Sequence, residues 1–286
     1  MIPSHVYQVD DNLTRRFTHE NSHLRGTGFI GQALCKRWLR DGHDIIIVTR
    51  SKPEFPAVQQ NGSLSYLTWE EMKSHPERFE RLDALVNLAG SSLSQRWTQA
   101  GKKRILQSRQ RTVSAVSDLM QRLEHKPPVV LQASAMAIYG TSEFETFDED
   151  SPATITDFPS EVVQQWEQAA DSIPVDRLIK LRISVVLGNQ GGALPKMLLP
   201  YKLGVGGNIG SGKQWLSWIH IDDIVELIDY CTRHEDISGA VNAASRMRSR
   251  TRNLAGASPR SITVRIGCPC LHSCSKPSWA KCRLFC

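Results

Sequence analysis

Six residues near the start of the chain, Gly26-Thr27-Gly28-Phe29-Ile30-Gly31, have the spacing G-x-G-x-x-G. Glycines at this spacing let a backbone turn tightly and approach a pyrophosphate, and the N-terminus of a following helix offers free N–H groups. The motif therefore predicts a dinucleotide-binding turn, although a glycine loop without a ligand can have the same spacing. Its candidate cofactor-binding residues are Gly26, Gly28, Phe29, Ile30 and Gly31.

Two basic residues follow the next apolar run, in the sequence Thr49-Arg50-Ser51-Lys52. A site for NAD would place an aspartate or a glutamate here, where it accepts hydrogen bonds from the ribose hydroxyls. Arg50 and Lys52 suit the 2′-phosphate of NADP instead, so the sequence favours NADP over NAD as cofactor. The alternative interpretation is a solvated basic pair after a strand.

The run Asn87-Leu88-Ala89-Gly90 ends another apolar segment with small residues. Because these residues are small, the backbone can pass beside an adenosine or a ribose. Leu88, Ala89 and Gly90 are therefore candidate cofactor contacts. A tight turn that binds nothing is the alternative.

Hydroxyl groups follow the next strand, in the run Ser134-Ala135-Met136-Ala137-Ile138-Tyr139-Gly140. Hydride chemistry belongs to the cofactor, so the protein has to supply orientation and a proton donor. Ser134 and Tyr139 are the two catalytic candidates, because a substrate beside a nicotinamide would lie near them. A packed loop with Tyr139 half-buried is the competing interpretation.

The elements that must position these residues alternate between strands and helices, which predicts a parallel sheet covered by helices on both faces. Binding residues then gather at the carboxyl ends of the strands. After a first helix, which Asp41-Gly42 breaks, the predicted strands span 45–49, 64–69, 83–90, 129–134, 178–183 and 215–221. The other predicted helices span 99–123, 160–170, 194–203 and 222–233, with Ser160 and Asp222 or Asp223 as caps.

The motifs together resemble the extended short-chain dehydrogenase/reductase superfamily. The segments that carry this resemblance are 27–31, 87–90, 134–140, 181–188 and 218–223. Three further stretches, 96–98, 107–109 and 194–212, resemble its "epimerase family protein" branch with the YfcH-like proteins. The resemblance covers about residues 25–245 and implies a Rossmann domain that binds NADP. By matching position it implies cofactor contacts near Thr49, Arg50, Leu88, Ala89, Arg109 and Val186.

The chain departs from this family in three places. The family begins with an Ile/Val-rich strand and a glycine before the motif, whereas the residues before Gly26 are polar and end in Arg25, so the first strand is expected to be missing or replaced. The superfamily's Tyr-x-x-x-Lys pair is not evident, since Glu143 lies four residues after Tyr139 and the later region reads Phe158-Pro159-Ser160-Glu161-Val162. Residues 246–286 do not resemble the family's C-terminal region.

Composition bounds the remaining possibilities. The net charge of the 286 residues is +6, but nine basic residues and no acidic ones lie in 246–286, which leaves −3 for 1–245 and gives no reason to expect nucleic acid as a partner. No apolar run could span a membrane, and the first residues do not form a signal peptide, so a cytoplasmic protein is expected. Cys35 and Cys231 alone lie in the body, as in a reduced intracellular protein.

Four segments are expected: an atypical 1–24, a Rossmann domain at 25–187, substrate-side segments with the last sheet elements at 188–245, and a basic, cysteine-rich tail at 246–286. Shifted reading frames at both ends would explain the abrupt changes in composition, and a disordered basic tail is the alternative. A zinc site is not expected because the tail cysteines include no C-x-x-C pair.

The leading functional hypothesis is an NAD(P)-dependent oxidoreductase or epimerase acting on an unknown small molecule. The absence of a Tyr-x-x-x-Lys pair favours a second hypothesis, a non-catalytic NADP-binding protein that acts as a sensor or binds a partner. A third is a damaged reading frame that gives no functional protein.

Overall fold

The computed structural model describes residues 16–20, 28–52, 62–93, 95–203, 211–246, 249–250 and 284–285. Its first seven strands are β1 (Arg16–Glu20), β2 (Asp44–Thr49), β3 (Leu64–Thr68), β4 (Ala84–Asn87), β5 (Val130–Ala135), β6 (Thr146–Phe147) and β7 (Leu178–Ile183). The others are β8 (Val185–Gly188), β9 (Gly191–Gly192), β10 (Trp215–Leu216), β11 (Trp218–His220), β12 (Gly239–Ala243), β13 (Ser249–Arg250) and β14 (Leu284–Phe285). The α-helices are α1 (Phe29–Arg40), α2 (Trp69–Ser74), α3 (Gln99–Arg122), α4 (Phe158–Ala170), α5 (Leu194–Lys202) and α6 (Ile221–Arg233).

Seven strands form one parallel sheet in the order β12-β7-β5-β4-β1-β2-β3. The chain adds strands on one side of β1 through β2 and β3, and on the other side through β4, β5, β7 and β12. The order reverses between β1 and β4, and in such a sheet the ligand crevice opens at the carboxyl ends of those two strands. The Rossmann-like, doubly wound α/β fold predicted from the sequence is confirmed.

Helices cover both faces of this sheet with two separate apolar clusters. On one face Leu34 and Trp38 of α1 pack with Ile224 and Ile228 of α6. On the other face α3 packs with α2 and α4 over the even-numbered residues of β2. On the inner face of α3, Ile105, Val113, Val116, Leu119 and Met120 are all buried.

The first strand of the family, expected to be missing or replaced, is replaced: a strand of different composition precedes the glycine motif. Arg16–Glu20 forms β1, in which Thr18 lies opposite Ile46 of β2 and Leu85 of β4. The apolar pattern could not reveal it, because sheet pairing uses backbone N–H and C=O groups that every residue of this segment supplies. A polar strand, Arg-Phe-Thr-His-Glu, therefore replaces the Ile/Val-rich strand of the family at the centre of the sheet.

Helix α4 begins two residues before its predicted start. Asp157 is its N-cap, and the Asp157 carboxylate accepts a hydrogen bond from Ser160 N at 3.0 Å. The predicted cap, Ser160, is the third helical residue, and its hydroxyl accepts from Asp157 N at 3.0 Å. The two residues form a reciprocal capping box, so each of them satisfies a backbone donor of the other.

Helix α6 begins at Ile221, and its cap is His220 rather than either predicted aspartate. His220 Nδ1 accepts a hydrogen bond from Asp222 N at 3.3 Å. Asp222 and Asp223 lie inside the first turn, where their negative charges interact favourably with the helix dipole.

β11, β8 and β9 form a smaller three-stranded sheet, and α5 follows β9 in the chain. The glycine-rich segment that precedes β10 lies mostly at 204–210, outside the described residues. Two short ladders join the tail to the body, β13 to β10 and β14 to β6, while residues 251–283 and 286, with all five tail cysteines, lie outside the described part. The longest described helix, α3, is rich in charged side chains, and none of the described helices has the length and apolar character of a membrane span.

Candidate cofactor site

The N-terminus of α1 lies at the carboxyl edge of the sheet, beside the crevice between β1 and β4. Gly28 is the N-cap in an extended conformation (φ −67°, ψ 179°), and its carbonyl accepts a hydrogen bond from Gln32 N at 2.9 Å. No side chain of the described residues caps this end, and no acidic residue lies in the first turn, which holds Phe29, Ile30 and Gly31. The end of the helix can therefore bind an anion through its N–H groups. Gly26 lies outside the described residues.

The end of β2 presents Thr49 and Arg50 in different environments. Thr49 is buried, and its hydroxyl donates to the Ser51 carbonyl at 3.2 Å, whereas Arg50 is exposed. Lys52 Nζ pairs with Glu71 Oε1 at 2.5 Å, and this hydrogen bond, together with one from Thr68 N, lowers the pKa of Glu71 to about 2. Lys52 is therefore engaged by a carboxylate at this edge of the sheet.

The end of β4 is held by a buried pair of amides. Asn87 Nδ2 donates to Gln132 Oε1 at 2.8 Å, and Asn87 Oδ1 accepts from Ala89 N at 3.1 Å. This fixes the backbone of Leu88, Ala89 and Gly90 as the chain leaves the sheet. Neither amide was singled out from the sequence, although a polar residue at the end of an apolar strand is a signal of such a bond.

The guanidinium of Arg109 lies below this turn. A side chain added at Gly90 would meet Arg109 Cζ at 3.4 Å, which is ordinary contact. Arg109 Nη1 donates to the carbonyls of Ser91 at 3.2 Å and Ile105 at 3.0 Å, and its Cζ lies 4.9 Å from the centre of the Trp166 ring.

Arg109 carries a buried charge without a matching carboxylate. It is 7% exposed, and no carboxylate of the described residues forms an ion pair with it. Burial lowers the pKa of Arg109 to about 10, which leaves the side chain cationic at neutral pH. An anionic group of a ligand would compensate this charge.

The two catalytic candidates belong to a buried polar network centred on Arg182 of β7. Ser134 Oγ donates to Glu167 Oε1 at 2.5 Å. Arg182 binds the same carboxylate with two hydrogen bonds, Nε to Oε1 at 2.9 Å and Nη2 to Oε2 at 3.0 Å. Arg182 Nη1 also donates to the Tyr139 hydroxyl at 2.6 Å, so one guanidinium joins α4, β5 and the turn after β5.

Tyr139 is fully buried, which differs from the half-buried alternative considered above. Its hydroxyl donates to Asn242 Oδ1 at 2.8 Å, and its ring stacks on Phe147 with centroids 5.4 Å apart. Burial raises the pKa of Tyr139, although Arg182 and Asn242 act in the opposite direction. Asn242 Nδ2 is buried with no partner among the described residues.

The charge on Arg182 is fixed by its partners. Burial alone would lower the pKa of Arg182, but the hydrogen bonds and charge of Glu167, with a contribution from Tyr139, raise it. Arg182, Glu167 and Asn242 are the partners of the two catalytic candidates, and sequence reasoning missed them. The two charged residues of β7, Lys180 and Arg182, were the available signal.

Helix α4 occupies the region where the superfamily's Tyr-x-x-x-Lys pair was sought. Its residues, Phe158–Ala170, include neither a tyrosine nor a lysine. Val163 on its inner face is buried against Tyr139 and its neighbours. In α4 no lysine is available to lower the pKa of a tyrosine or to hold a ribose.

Val186, the last predicted contact, lies half-buried in β8. Its carbonyl accepts a hydrogen bond from Ala193 N at 3.3 Å, which closes the hairpin of β8 and β9. Phe29 lies against the same hairpin. The predicted cofactor residues thus come from the ends of β2 and β4, from α1 and α3 and from this hairpin, while Ser134 and Tyr139 lie in the buried network.

Comparison with known proteins identifies the family of this chain. A model of the NAD dependent epimerase/dehydratase family matches residues 26–244. Epimerase family protein YfhF of Bacillus subtilis is 41% identical over 223 residues, which cover 77% of this chain and 72% of that protein. The Arabidopsis thaliana epimerase family protein SDR39U1 homolog, chloroplastic, is 37% identical over 257 residues, covering 88% of this chain and 70% of that protein.

A crystal structure of human epimerase family protein SDR39U1 (isoform2) with NADPH matches with a TM-score of 0.72 and 33% identity, covering 82% of this chain and 76% of that chain. The Bordetella bronchiseptica enzyme WbmG in complex with NAD shares the fold, with a TM-score of 0.64 and 16% identity over 87% of this chain and 78% of that chain. Taken with the parallel sheet and its crevice, these similarities show that the chain belongs to the NAD dependent epimerase/dehydratase family, in its branch of epimerase family proteins.

Proposed function

We propose that this protein binds NADP(H) in the crevice between β1 and β4 and uses it to reduce, oxidise or epimerise a small molecule. The observation that carries the proposal is the uncapped N-terminus of α1 at the point where the strand order reverses. The human relative described with NADPH supports NADP rather than NAD. We place this activity in the cytoplasm, without nucleic acid or membrane partners.

Backbone groups and side chains of the crevice each have a role in this proposal. The first-turn N–H groups of α1 bind the pyrophosphate, because they have no partner within the helix. Arg50 pairs with the 2′-phosphate, since residues 49–52 at the end of β2 contain no carboxylate to take the ribose hydroxyls. The backbone of Leu88–Gly90 lies along the ribose. The buried cation of Arg109 is compensated by the negative charge of the ligand.

The cofactor supplies the hydride, and the protein orients the substrate and provides a proton. Ser134 and Tyr139 remain the candidates for the proton donor. Both hydroxyls donate to protein acceptors, Glu167 and Asn242, so either one would have to exchange that partner for the substrate. Arg182 would favour this exchange at Tyr139, because its cation stabilises the phenolate.

A second candidate function is NADP(H) binding without turnover, as in a sensor or a partner-binding protein. The composition of α4 favours it, since this helix has neither the tyrosine nor the lysine of the superfamily pair. The two functions differ in one measurement, the oxidation of NADPH in the presence of a pool of carbonyl substrates. Tight binding with no oxidation would support the second function.

The cofactor preference is tested by fluorescence titration with NADPH and NADH. We expect the wild type to bind NADPH at least about tenfold more tightly than NADH, since an arginine–phosphate hydrogen bond contributes about 1.5–3 kcal/mol. Arg50→Ala should remove most of this difference. Lys52→Ala is the matched control: it deletes the same charge two residues away, but that ammonium is held by Glu71, so the preference should remain. Equal affinities in the wild type would contradict the proposal.

A further inference from the structure

The side chain of Phe29 packs against three glycines of the β8–β9 hairpin, Gly188, Gly191 and Gly192. A Cβ atom built on Gly188 would lie 2.6 Å from Phe29 Cζ, and one on Gly191 would lie 2.6 Å from Cδ2. A Cβ on Gly192 would lie 2.6 Å from the carbonyl oxygen of Val186 and 2.8 Å from Phe29 Cε1. Real Cβ atoms are essentially never found within 3.0 Å of another atom, so the ring occupies the space that three side chains would need.

Backbone conformation does not account for two of these glycines. Gly192 has a φ of +72°, which by itself favours glycine. Gly188 and Gly191 do not have positive φ angles, so any residue could adopt their backbone conformation. What excludes larger residues there is the ring of Phe29, together with Ile221, whose Cγ2 lies 3.0 Å from a Cβ at Gly188. Glycines at 188 and 191 therefore leave the space that the Phe29 ring occupies.

Phe29 also stands at the end of α1 that we assign to the pyrophosphate. It is the first helical residue, directly after the Gly28 cap. A ligand bound to the first-turn N–H groups fixes the backbone from which the ring projects. The ring in turn fixes the hairpin, because the two surfaces are in tight contact.

The hairpin positions α5 on the substrate side. Ala193, the residue before α5, donates its N–H to the carbonyl of Val186 at 3.3 Å. None of the residues of α5 is buried, and its main contacts with other described elements are with β8 and β9. The position of α5 therefore depends on that of the hairpin.

We propose that Phe29 is a positioning residue that couples occupancy of the dinucleotide site to the placement of the β8–β9 hairpin and α5. This inference rests on the proposed binding of NADP(H). It assigns to the fourth residue of the glycine motif a role in organising the substrate side, in addition to any contact with the cofactor.

Hydrogen exchange measured by mass spectrometry tests the coupling. In the wild type, NADPH should slow exchange in residues 185–203 by at least about tenfold. Phe29→Ala should abolish this slowing in samples that are saturated with NADPH, and Phe29→Leu should restore part of it. A role confined to stability would change the melting temperature but leave the response of 185–203 to NADPH intact. Equal slowing in the wild type and in Phe29→Ala would overturn the inference.

A size exchange tests the contact without any cofactor. Gly191→Ala should lower the melting temperature, because the added methyl group would meet the ring of Phe29. In the Gly191→Ala background, Phe29→Ala should then lower the melting temperature by less than it does in the wild type. Gly101→Ala is the matched control, because its Cβ would meet the backbone carbonyl oxygen of Arg96 at 2.5 Å, a clash that Phe29→Ala cannot relieve. Additive effects of Gly191→Ala and Phe29→Ala would overturn the contact.

These results separate the two proposals. A wild type that binds no NADPH would contradict the proposed function, and the coupling with it. A wild type that binds NADPH but shows no slowing in 185–203 would contradict the coupling alone.

Discussion

Tyr139 shows how one hydroxyl can serve two purposes. It accepts a hydrogen bond from Arg182 and donates one to Asn242, inside a fully buried site. Tyr139→Phe keeps the ring stacked on Phe147 but leaves both partners incomplete, so we expect a loss of about 1–3 kcal/mol in the free energy of unfolding. Urea denaturation measures this. If Tyr139 is also the proton donor, NADPH oxidation should disappear while NADPH binding persists.

Tyr66→Phe is the control for that measurement. Tyr66 is half-buried, and its hydroxyl has no hydrogen-bond partner among the described residues, so its removal should change stability by less than about 0.5 kcal/mol. Undiminished turnover in Tyr139→Phe would exclude Tyr139 as the donor. Unchanged stability would contradict the hydrogen bonds described here.

The thiols of Cys35 and Cys231 give stability a dependence on alkaline pH. Burial raises the pKa of both to about 12, with Arg177 opposing the shift at Cys231. An unfolded thiol ionises near pH 9, so above that pH the unfolded state loses protons that the folded state retains. The stability that the buried, protonated thiols contribute is fully present below pH 9. It is lost between about pH 9 and 12, by up to about 1.4 kcal/mol per pH unit for each thiol.

Melting curves from pH 8 to 11 test this contribution. The comparison is between the wild type and Cys35→Ala/Cys231→Ala, which share all other titrating groups, including the tail cysteines. The double variant should lose stability less steeply above pH 9. Parallel curves would contradict the burial of the two thiols.

Between elements, the pairing of Glu167 with Arg182 joins α4 to β7. The side chains are each 10% exposed. Glu167→Ala leaves a buried guanidinium without its carboxylate, which should reduce the free energy of unfolding by about 3–5 kcal/mol. Asp171→Ala breaks the neighbouring ion pair between Asp171 and Lys180. Because the Asp171 side chain is 58% exposed, this change should alter stability by at most about 1 kcal/mol. Similar losses in the two variants, measured by urea denaturation, would contradict a structural role for the buried pair.

Elements with a strong apolar period could be predicted from the sequence. Helix α3 was predicted to within one residue because its inward residues recur at three and four positions over its whole length. β1 could not, because Arg16–Glu20 has no apolar pattern and its place is fixed by two neighbouring strands. Helix starts were displaced where the actual cap, Asp157 or His220, preceded a more obvious candidate.

The residues of the candidate site also differ in how far the sequence could predict them. The glycine motif and the ends of β2 and β4 could be located because each lies directly after a recognisable strand or before a recognisable helix. The buried network could not, since Tyr139 and Asn242 are 103 residues apart and no local pattern links them. Only the neighbouring positions of β5, β7 and β12 in the sheet bring Ser134, Arg182 and Asn242 together.

For the whole molecule, we expect cooperative unfolding to depend on the polar strand β1. It pairs on both sides, so Thr18→Pro should disrupt the centre of the sheet and abolish a cooperative transition. Thr18→Val, which has a higher preference for strands, should keep the transition and shift it to higher temperature. Circular dichroism melting distinguishes the two. A cooperative transition in Thr18→Pro would show that β1 is not needed.

The same central position of β1 sets an order of events during synthesis. Every pairing in the seven-stranded sheet is parallel, so none can form through a simple hairpin. β1 can pair with β2 early, but its other edge, where Phe17 lies opposite Ala84, must wait for β4 to leave the ribosome. At about 5–20 residues per second that wait lasts a few seconds. During this interval the nascent chain exposes an open strand edge to other chains, and a chaperone bound to this edge would prevent them from pairing with it.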